Sequence, residues 1–347
     1  ENEWKNATVP GCNFLDLMNN GDIPNPFIST YEKEVGFVGE KDWEYKKIFE
    51  ISEAELDCDD VLLNCKMLDT ICDVYVNSRL LFVGENCFVA YSKSVKSFLN
   101  LGENEIRIVF KSPVNYVRDK YKKCPTPMNS NGQNGIVHIR KPQSHFGWDW
   151  GPVLPLSGIT KDIELQFVNN AKIDYLGITQ RLEDGKAFVS VKADVTSFGN
   201  YECEIGITSP SGEVMTACGE CAEFVIDNPE LWWTYELSGS KNQPLYTVSA
   251  KLKLNGKVLD EQSKKIGLRT IELNRERDKY GRNFQFILNG VPLFIKGSNY
   301  IPADSFITRF DKQKLDYMLD AVQFSNMNMI RVWGGGYYES DEFYDAC

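Results

Sequence analysis

The most distinctive chemistry in this sequence lies in a short stretch, His145 to Pro152, in which two tryptophans flank one aspartate. The indoles of Trp148 and Trp150 are large flat apolar surfaces, and the Asp149 carboxylate between them is a hydrogen-bond acceptor. This combination suits a ligand with C–H faces and hydroxyl edges, which describes a sugar ring. The stretch therefore indicates a carbohydrate-binding site.

Asp149 is the sharpest candidate in this stretch. Its carboxylate, flanked by two indoles, is expected to be partly desolvated, where each hydrogen bond that it accepts is worth about 1.5–3 kcal/mol. Such an acceptor discriminates sugar epimers, because a displaced hydroxyl leaves it unpaired. The alternative from the residues alone is a carboxylate satisfied by backbone N–H groups in a tight turn, with the tryptophans in the core. In an extended segment, Trp148 and Trp150 share one side and Asp149 faces the other.

A second candidate pair stands near the end of the sequence, in Arg331-Val332-Trp333 followed by three glycines. Arg331 and Trp333 are two residues apart on a predicted strand and therefore face the same way. At the end of such a strand the guanidinium can hold carboxylates by bidentate pairing, and the indole can form the floor of a sugar pocket. The alternative for Arg331 is a buried salt bridge. The three glycines are not a phosphate loop, because no Gly-Lys-Ser/Thr follows them.

The elements that must position these residues are mainly short strands, and we predict a multidomain, mainly β fold. Alternating runs such as 106–110 and 163–167, separated by turn residues, indicate a β-sandwich over residues 1–170. Alternation over 187–193 and the Asn255-Gly256 hairpin turn indicate an immunoglobulin-like sandwich over residues 171–270.

Residues 271–347 follow a different pattern. A hairpin around Asn289-Gly290, a helix over 311–325 and an apolar run over 327–333 predict the first β-α-β part of a (β/α)₈ barrel. A complete barrel takes about 250 residues, so the barrel is expected to be incomplete in this sequence. Two segments, 9–27 and 113–135, are expected to be loops, the first because it is rich in Pro, Gly and Asn and the second because its strand pattern dissolves before the His145 stretch.

Composition and charge exclude several classes of partner. The net charge of −11 and the pI of about 4.9 argue against nucleic acid, whose binding needs cationic side chains. The sequence contains no apolar run of about 18 residues, so we predict no membrane span. Cys218 and Cys221 predict a short disulfide or two free thiols rather than a metal site, because His138 and His145 are far away in the sequence. We expect no cofactor and no metal, and the sequence predicts no particular oligomeric state.

The His145 stretch, Arg140-Lys141 before it and the segment from Arg331 to Gly336 resemble the β-mannosidase branch of glycoside hydrolase family 2. The resemblance extends along nearly the whole sequence, through segments that include Val9-Pro10-Gly11, Leu68-Asp69-Thr70, Glu230-Leu231-Trp232-Trp233, Ile266-Gly267-Leu268-Arg269-Thr270 and Glu342-Phe343-Tyr344-Asp345-Ala346-Cys347.

This resemblance implies a jelly-roll sugar-binding first domain. It also implies an amino-terminal part of an enzyme that removes terminal non-reducing β-D-mannose, with retention, from β-mannoside oligosaccharides or glycoproteins. It implies substrate-binding roles for Trp148, Asp149, Trp150, Arg331 and Trp333. The family's two catalytic carboxylates lie on later barrel strands, so we expect no catalytic residue in this sequence and an inactive fragment. His145 is then expected to be a hydrogen-bonded residue of the rim rather than a base.

Two alternatives remain open. One is another family 2 specificity, β-galactosidase or β-glucuronidase; the other is a non-catalytic carbohydrate-binding protein, favoured by Phe14, Tyr31 and Thr160, where the family usually has His, Asn and Trp. Four further carboxylates are expected at surface or capping positions, namely Asp304, Glu339, Asp341 and Glu342. Asn6 begins an Asn-Ala-Thr glycosylation sequon, which favours a lysosomal or secreted protein; a bacterial one would be cytoplasmic or periplasmic.

Overall fold

The computed structural model describes residues 3–127, 132–239 and 243–347. It divides into two compact units. The first unit comprises Glu1–Phe167, Asn299–Ala321 and Arg331–Cys347, and the second comprises Val168–Ser298 and Val322–Ile330. The predicted domain borders after residues 170 and 270 stay predictions.

Short strands make up most of the first unit, as predicted. Apolar residues alternate along them, so that in the second strand Val61, Leu63 and Cys65 are buried while their neighbours are not. The strands are β1 (Trp43–Ile51), β2 (Asp60–Cys65), β3 (Leu68–Asp69), β4 (Cys72–Val76), β5 (Arg79–Gly84), β6 (Tyr91–Ser94), β7 (Gly102–Phe110), β8 (Phe146–Trp148), β9 (Gly151–Val153), β10 (Gly158–Ile159) and β11 (Ile163–Val168).

Two antiparallel sheets of this unit enclose one apolar core. One has the strand order β1-β7-β4-β5 and the other β11-β2-β6. Val74 and Ile108 from the first sheet pack with Val61 and Leu63 from the second. The predicted jelly-roll sandwich is confirmed. Separately, β10 pairs with β3, and Gly158 lies opposite Asp69 in that pairing.

Helices occupy parts of both segments that were predicted to be loops. The helices of this region are α1 (Asn13–Asn19), α2 (Tyr31–Glu34), α3 (Glu53–Leu56) and α4 (Pro113–Lys123), with 3₁₀ turns at Gly36–Glu40, Lys96–Phe98, Ile136–His138 and Gln143–His145. The prediction of a loop throughout residues 113–135 is therefore wrong for its first half, and residues 128–131 of that segment lie outside the described residues. In α4, Ser112 accepts the N–H of Asn115 as an N-cap, Pro113 opens the helix and Val117 is buried.

The prediction of a loop over residues 9–27 is also wrong in part. Helix α1 forms between Gly11 and Gly21 because the residues between them include neither glycine nor proline. Phe14 is fully buried, and Leu15, Leu17 and Met18 pack against the same core. Burial of this apolar face stabilises a helix too short to be stable alone.

The second unit contains a seven-stranded sandwich. Its strands are β12 (Ala171–Glu183), β13 (Lys186–Ser197), β14 (Glu202–Thr208), β15 (Val214–Cys218), β16 (Cys221–Asp227), β17 (Tyr246–Leu254) and β18 (Lys257–Ile266), with a short helix α5 (Tyr235–Ser238). Sheets of order β12-β13-β16 and β15-β14-β17-β18 share one core, which includes Val189, Ile205 and Leu252. The predicted immunoglobulin-like sandwich is confirmed. Cys218 and Cys221 are free, exposed thiols at the facing ends of β15 and β16.

The last part of the sequence contains the predicted hairpin, helix and strand. The elements are β19 (Ile271–Asn274), β20 (Gln285–Leu288), β21 (Val291–Leu293), β22 (Gly297–Tyr300), α6 (Lys312–Phe324), β23 (Met329–Val332) and α7 (Asp341–Ala346), with a 3₁₀ turn at Ile307–Arg309. Asn289 and Gly290 form the β20–β21 turn with φ of +48° and +79°. The backbone of β23 pairs with β22, and the Trp333 N–H donates to the Tyr300 carbonyl at 2.9 Å. The near-continuous apolar run over 327–333 is typical of a buried parallel strand, but the four residues of β23 are half-buried or exposed.

We predict that burial along β13 and β16 sets the stability of the second sandwich. Val189 is fully buried, whereas Val225 on the neighbouring strand is 45% exposed. Val189→Ala removes buried methyl groups and leaves a cavity, so the free energy of unfolding should fall by roughly 2 kcal/mol. The matched change Val225→Ala should alter it by less than about 0.5 kcal/mol. Urea unfolding measures both, and equal effects would contradict the assigned inward face.

Candidate carbohydrate-binding site

The predicted sugar-binding stretch is a tight β-hairpin. Strands β8 and β9 pair through Phe146 with Val153 and through Trp148 with Gly151, so Asp149 and Trp150 form a two-residue turn. The stretch is therefore not extended throughout. Gly147 has a φ of +93°, and a Cβ there would lie 2.7 Å from the Val153 Cγ2 atom. This position requires glycine on both counts.

Both tryptophans of the hairpin contact Trp333. The ring centroids of Trp148 and Trp333 are 5.0 Å apart with the planes at 64°, and those of Trp150 and Trp333 are 5.7 Å apart with the planes at 79°. We call these three residues the tryptophan cluster. Trp150 is exposed and the other two are half-buried, so the cluster presents indole surface to solvent. The two hairpin indoles share a side, as an extended segment would also have required.

Asp149 lies at the tip of the hairpin and is exposed. The expected partial desolvation of its carboxylate is therefore not found. The alternative is not found either, because no described residue donates a hydrogen bond to this carboxylate. The turn projects Asp149 into solvent, where the indoles cannot enclose it. Its acceptor atoms are consequently available to a ligand at the edge of the tryptophan cluster.

Arg331 is also exposed, and its Nη1 group donates to the Asn299 Oδ1 atom at 2.9 Å. The buried salt bridge considered for Arg331 is thus not present among the described residues. A guanidinium has five N–H donors in a fixed fork, so this single bond leaves donors for further acceptors. Arg331 and Trp333 lie at the same strand end, and Trp333 is the one that meets the hairpin.

A buried ion pair lies beneath the hairpin, and sequence reasoning missed it. The Lys141 Nζ and Asp69 Oδ1 atoms are 2.7 Å apart, and neither side chain is exposed at all. Lys141 also donates to the Leu156 carbonyl at 2.8 Å, and Thr70 donates to the same Asp69 oxygen. Lys141 was singled out only as part of the family resemblance. Asp69 likewise appeared only in a segment of that resemblance, Leu68-Asp69-Thr70.

His145 connects the ion pair to the loop that follows Trp333. Its Nε2 atom lies 2.6 Å from the Tyr337 hydroxyl, and its Nδ1 atom lies 3.7 Å from the Asp69 Oδ2 atom. Beside it, the Ser144 N–H donates to the Gly335 carbonyl at 3.1 Å. His145 is hydrogen-bonded as predicted, but it is buried rather than at a rim.

The protonation states of His145 and Tyr337 follow from the burial of both side chains. Burial, followed by the positive charge of Lys141, holds the pKa of His145 well below its usual range. Burial, followed by the Asp69 charge, raises the pKa of the Tyr337 hydroxyl. The tyrosine therefore keeps its proton, and its O–H donates a hydrogen bond to Nε2 of the neutral imidazole. The ring hydrogen is then on Nδ1, on the side of Asp69.

The four carboxylates that were expected at surface or capping positions occupy such positions for the most part. Asp304 accepts two hydrogen bonds from Arg309, at 2.9 and 2.6 Å. Asp341 and Glu342 lie in the first turn of α7, where the helix dipole favours negative charge. Glu339 is half-buried, and burial raises its pKa.

We predict that His145 makes stability depend on pH. Unfolded histidine titrates near about 6.5, and the folded pKa is lower, so the unfolded chain binds more protons between the two values. The contribution is fully present above about pH 6.5 and is lost as the pH falls toward the folded pKa. In His145→Gln, the slope of unfolding free energy against pH below 6.5 should decrease by up to about 1.4 kcal/mol per pH unit.

The control for this experiment is Tyr337→Phe, measured by urea unfolding between pH 5 and 8. This variant removes the hydrogen bond to Nε2 but retains the buried imidazole. It should lower stability by about 1 kcal/mol at every pH and keep the slope. A slope that is unchanged in His145→Gln would show that another group causes the pH dependence.

Comparison with known proteins agrees with this geometry. Residues 1–161 match the family model described as glycosyl hydrolase 2 galactose-binding domain-like, and residues 169–269 match that of glycosyl hydrolases family 2. β-Mannosidase B of Emericella nidulans is 33% identical over 98% of this chain and 41% of its own length. β-Mannosidase of Bos taurus is 32% identical over the same shares.

A solved structure gives the same result. The crystal structure of β-D-mannosidase from Dictyoglomus thermophilum superimposes with a TM-score of 0.94 at 33% identity, and the match covers 100% of this chain and 44% of that one. The chain thus spans about two fifths of the length of the curated relatives that it matches. The two matched family models, over residues 1–161 and 169–269, and the relatives named above show that the chain belongs to glycoside hydrolase family 2.

Proposed function

We propose that this chain is the substrate-recognising, amino-terminal part of a retaining β-mannosidase. The enzyme would hydrolyse terminal non-reducing β-D-mannose residues of oligosaccharides or glycoproteins. The observation that supports this most is the tryptophan cluster with the Asp149 carboxylate at its edge, which accepts no hydrogen bond from the residues that the structure describes. The relatives described above, which are named as β-mannosidases, support the choice of sugar.

The tryptophan cluster and Asp149 would bind the terminal mannose together. The indoles of Trp148, Trp150 and Trp333 offer C–H-compatible surface for the sugar ring. The Asp149 carboxylate would accept hydrogen bonds from two hydroxyls, and its charge strengthens each bond. Because the carboxylate accepts no bond from the described part of the protein, its lone pairs can accept bonds from sugar hydroxyls. A sugar whose hydroxyl is displaced would lose a charge-assisted bond, and that loss would give epimer preference.

Arg331 would pair with a catalytic carboxylate of the site in addition to lying near the sugar. Its guanidinium retains donors after bonding to Asn299, and bidentate pairing with a carboxylate is its preferred use. Retaining hydrolysis needs two carboxylic acids about 5 Å apart, one serving as acid and base and the other as nucleophile. We propose that both lie outside these 347 residues and that Arg331 orients one of them.

Two other functions are less well supported. Another family 2 specificity, for galactose or glucuronic acid, is disfavoured by the β-mannosidase names of the relatives reported above. A non-catalytic carbohydrate-binding protein was suggested by Phe14, which stands where the family usually has histidine. Phe14 is fully buried and stacks on Phe306 at 5.9 Å, so this departure affects packing and leaves the tryptophan cluster intact.

The compartment follows only as part of the proposal. Asn6 is exposed, as an acceptor of N-linked glycan must be, and a lysosomal or secreted location would use it. A bacterial protein would instead be cytoplasmic or periplasmic. No helix within the described ranges is both long and apolar enough to cross a membrane.

Asp149→Ala tests the proposed recognition. In the full-length protein it should lower kcat/KM for an aryl β-mannoside by one to several decades, because charge-assisted bonds to the sugar are lost. The melting temperature should not change, since this side chain is exposed and bonds to no described residue. Asp119→Ala, at an exposed position on helix α4, is the matched control and should leave kcat/KM unchanged. Kinetics unaffected by Asp149→Ala would remove Asp149 from the site.

A second prediction concerns the catalytic groups. Purified residues 1–347 should show no turnover of an aryl β-mannoside, because the acid/base and the nucleophile are proposed to lie elsewhere. The measurement is release of the aryl alcohol against a blank without protein. Turnover above the blank would show that carboxylates within this chain catalyse the reaction, and it would overturn that assignment.

A further inference from the structure

A cavity of about 350 Å³ lies beside the tryptophan cluster. Of the residues proposed above for sugar binding, Trp150 lines it, and Phe27, Pro302, Asp304 and Arg309 form other parts of its wall. All of them belong to the first compact unit. The volume is near the lower end of the range of about 300–1,000 Å³ found for ligand pockets, so the cavity suits a small ligand.

Arg309 is held in one orientation at this cavity. Its Nε and Nη2 groups donate to the two oxygens of Asp304, and its guanidinium lies 4.8 Å from the centre of the Phe27 ring. These contacts leave the Nη1 group without a hydrogen-bond partner among the described residues. A guanidinium fixed on two sides loses little freedom when its remaining donors bind a ligand. The cavity therefore offers preorganised donors.

The charge of this wall selects the class of ligand. Asp304 and Arg309 neutralise each other at 2.6 Å, and their side chains are only 15% and 33% exposed. An anionic ligand would have to displace the Asp304 carboxylate from the guanidinium, whereas an uncharged hydroxyl can use the remaining donors and lone pairs of both groups. Phe27, Trp150 and Pro302 add apolar surface around this pair. Aromatic surface with a neutral polar pair fits an uncharged, hydroxyl-rich ring.

We propose that this cavity binds the second sugar unit of the substrate, the one joined to the terminal mannose through the bond that is cleaved. The inference rests on the proposed function. Its geometric basis is Trp150, whose indole contacts Trp333 in the tryptophan cluster and also lines the cavity. A terminal sugar on the cluster and a second sugar in the cavity are thereby adjacent.

The test compares two substrates of the full-length protein. β-1,4-Mannobiose places a sugar in the cavity, whereas β-mannosyl fluoride has a single-atom leaving group that cannot reach it. Arg309→Lys keeps the charge opposite Asp304 but loses the fork, and Phe27→Ala removes one wall. Each should lower kcat/KM for mannobiose roughly tenfold, which corresponds to about 1.4 kcal/mol, and should change kcat/KM for the fluoride less than about twofold.

The control is Phe37→Ala, which removes an equally exposed phenylalanine from the same unit and should leave both substrates unaffected. The unmodified protein is the reference if it hydrolyses both substrates. A ratio of kcat/KM for mannobiose to kcat/KM for the fluoride that is unchanged in Arg309→Lys and Phe27→Ala then overturns the second-sugar site alone. An unchanged ratio together with a lower Tm also overturns it, and shows that Arg309 and Phe27 serve the packing of the fold rather than the binding of a sugar. Unmodified protein that hydrolyses neither substrate overturns the proposed function and the second-sugar site with it.

Discussion

The candidate site depends on the buried ion pair between Lys141 and Asp69. Removing two charges from water costs several kcal/mol per ion, and the cost is offset only when each charge has good hydrogen-bond partners. Here the Leu156 carbonyl and the Thr70 hydroxyl supply them. The other Asp69 oxygen, Oδ2, has no hydrogen-bond partner among the described residues and faces only His145, at 3.7 Å. We infer that the pair acts mainly on conformational specificity, because each charge meets its partner at one place in the core. The hairpin that begins a few residues after Lys141 is thereby fixed in position.

This buried anchor extends to the Trp333 side of the site. Asp69 faces His145, His145 bonds to Tyr337, and Ser144 bonds through its backbone to Gly335. Two hydrogen bonds thus connect the segment before the hairpin of Trp148 and Trp150 to the loop that follows Trp333. One connection is between side chains and the other between main-chain groups. The segments that carry the three indoles are held by this polar network, and the indoles also contact one another through Trp333.

Much of the fold could be predicted from the sequence because the signals for it are local. Alternation in β2, β7, β13 and β17 reports burial on one side of a strand, and Asn-Gly pairs report hairpin turns through positive φ. Helices α1 and α4 were not predicted, because their local sequence suggests loops and their stability comes from tertiary packing. Both are short and lie among Pro, Gly and Asn residues, and their stability comes from burying Phe14 and Val117 in cores that the sequence does not display.

The site was predictable in its residue types but not in its support. Tryptophan, aspartate and arginine predict a sugar-binding surface because flat apolar rings and charged hydrogen-bonding groups suit a sugar ring. The partners behind them are separated by 72 residues for Lys141 and Asp69 and by 192 for His145 and Tyr337, so no spacing pattern can reveal them. The exposure of Asp149 was also missed, since the two-residue turn that creates it depends on pairing between β8 and β9.

The position of Asp149 in that turn has an evolutionary consequence. A turn residue bonded to no described neighbour can be exchanged without disturbing the core, whereas the aromatic surface beside it is fixed by the buried network. Under the proposed function, ligand preference and foldability are therefore encoded by different residues and can change independently. A lineage could in this way acquire a new sugar by altering the hairpin tip alone, while keeping the scaffold that presents it.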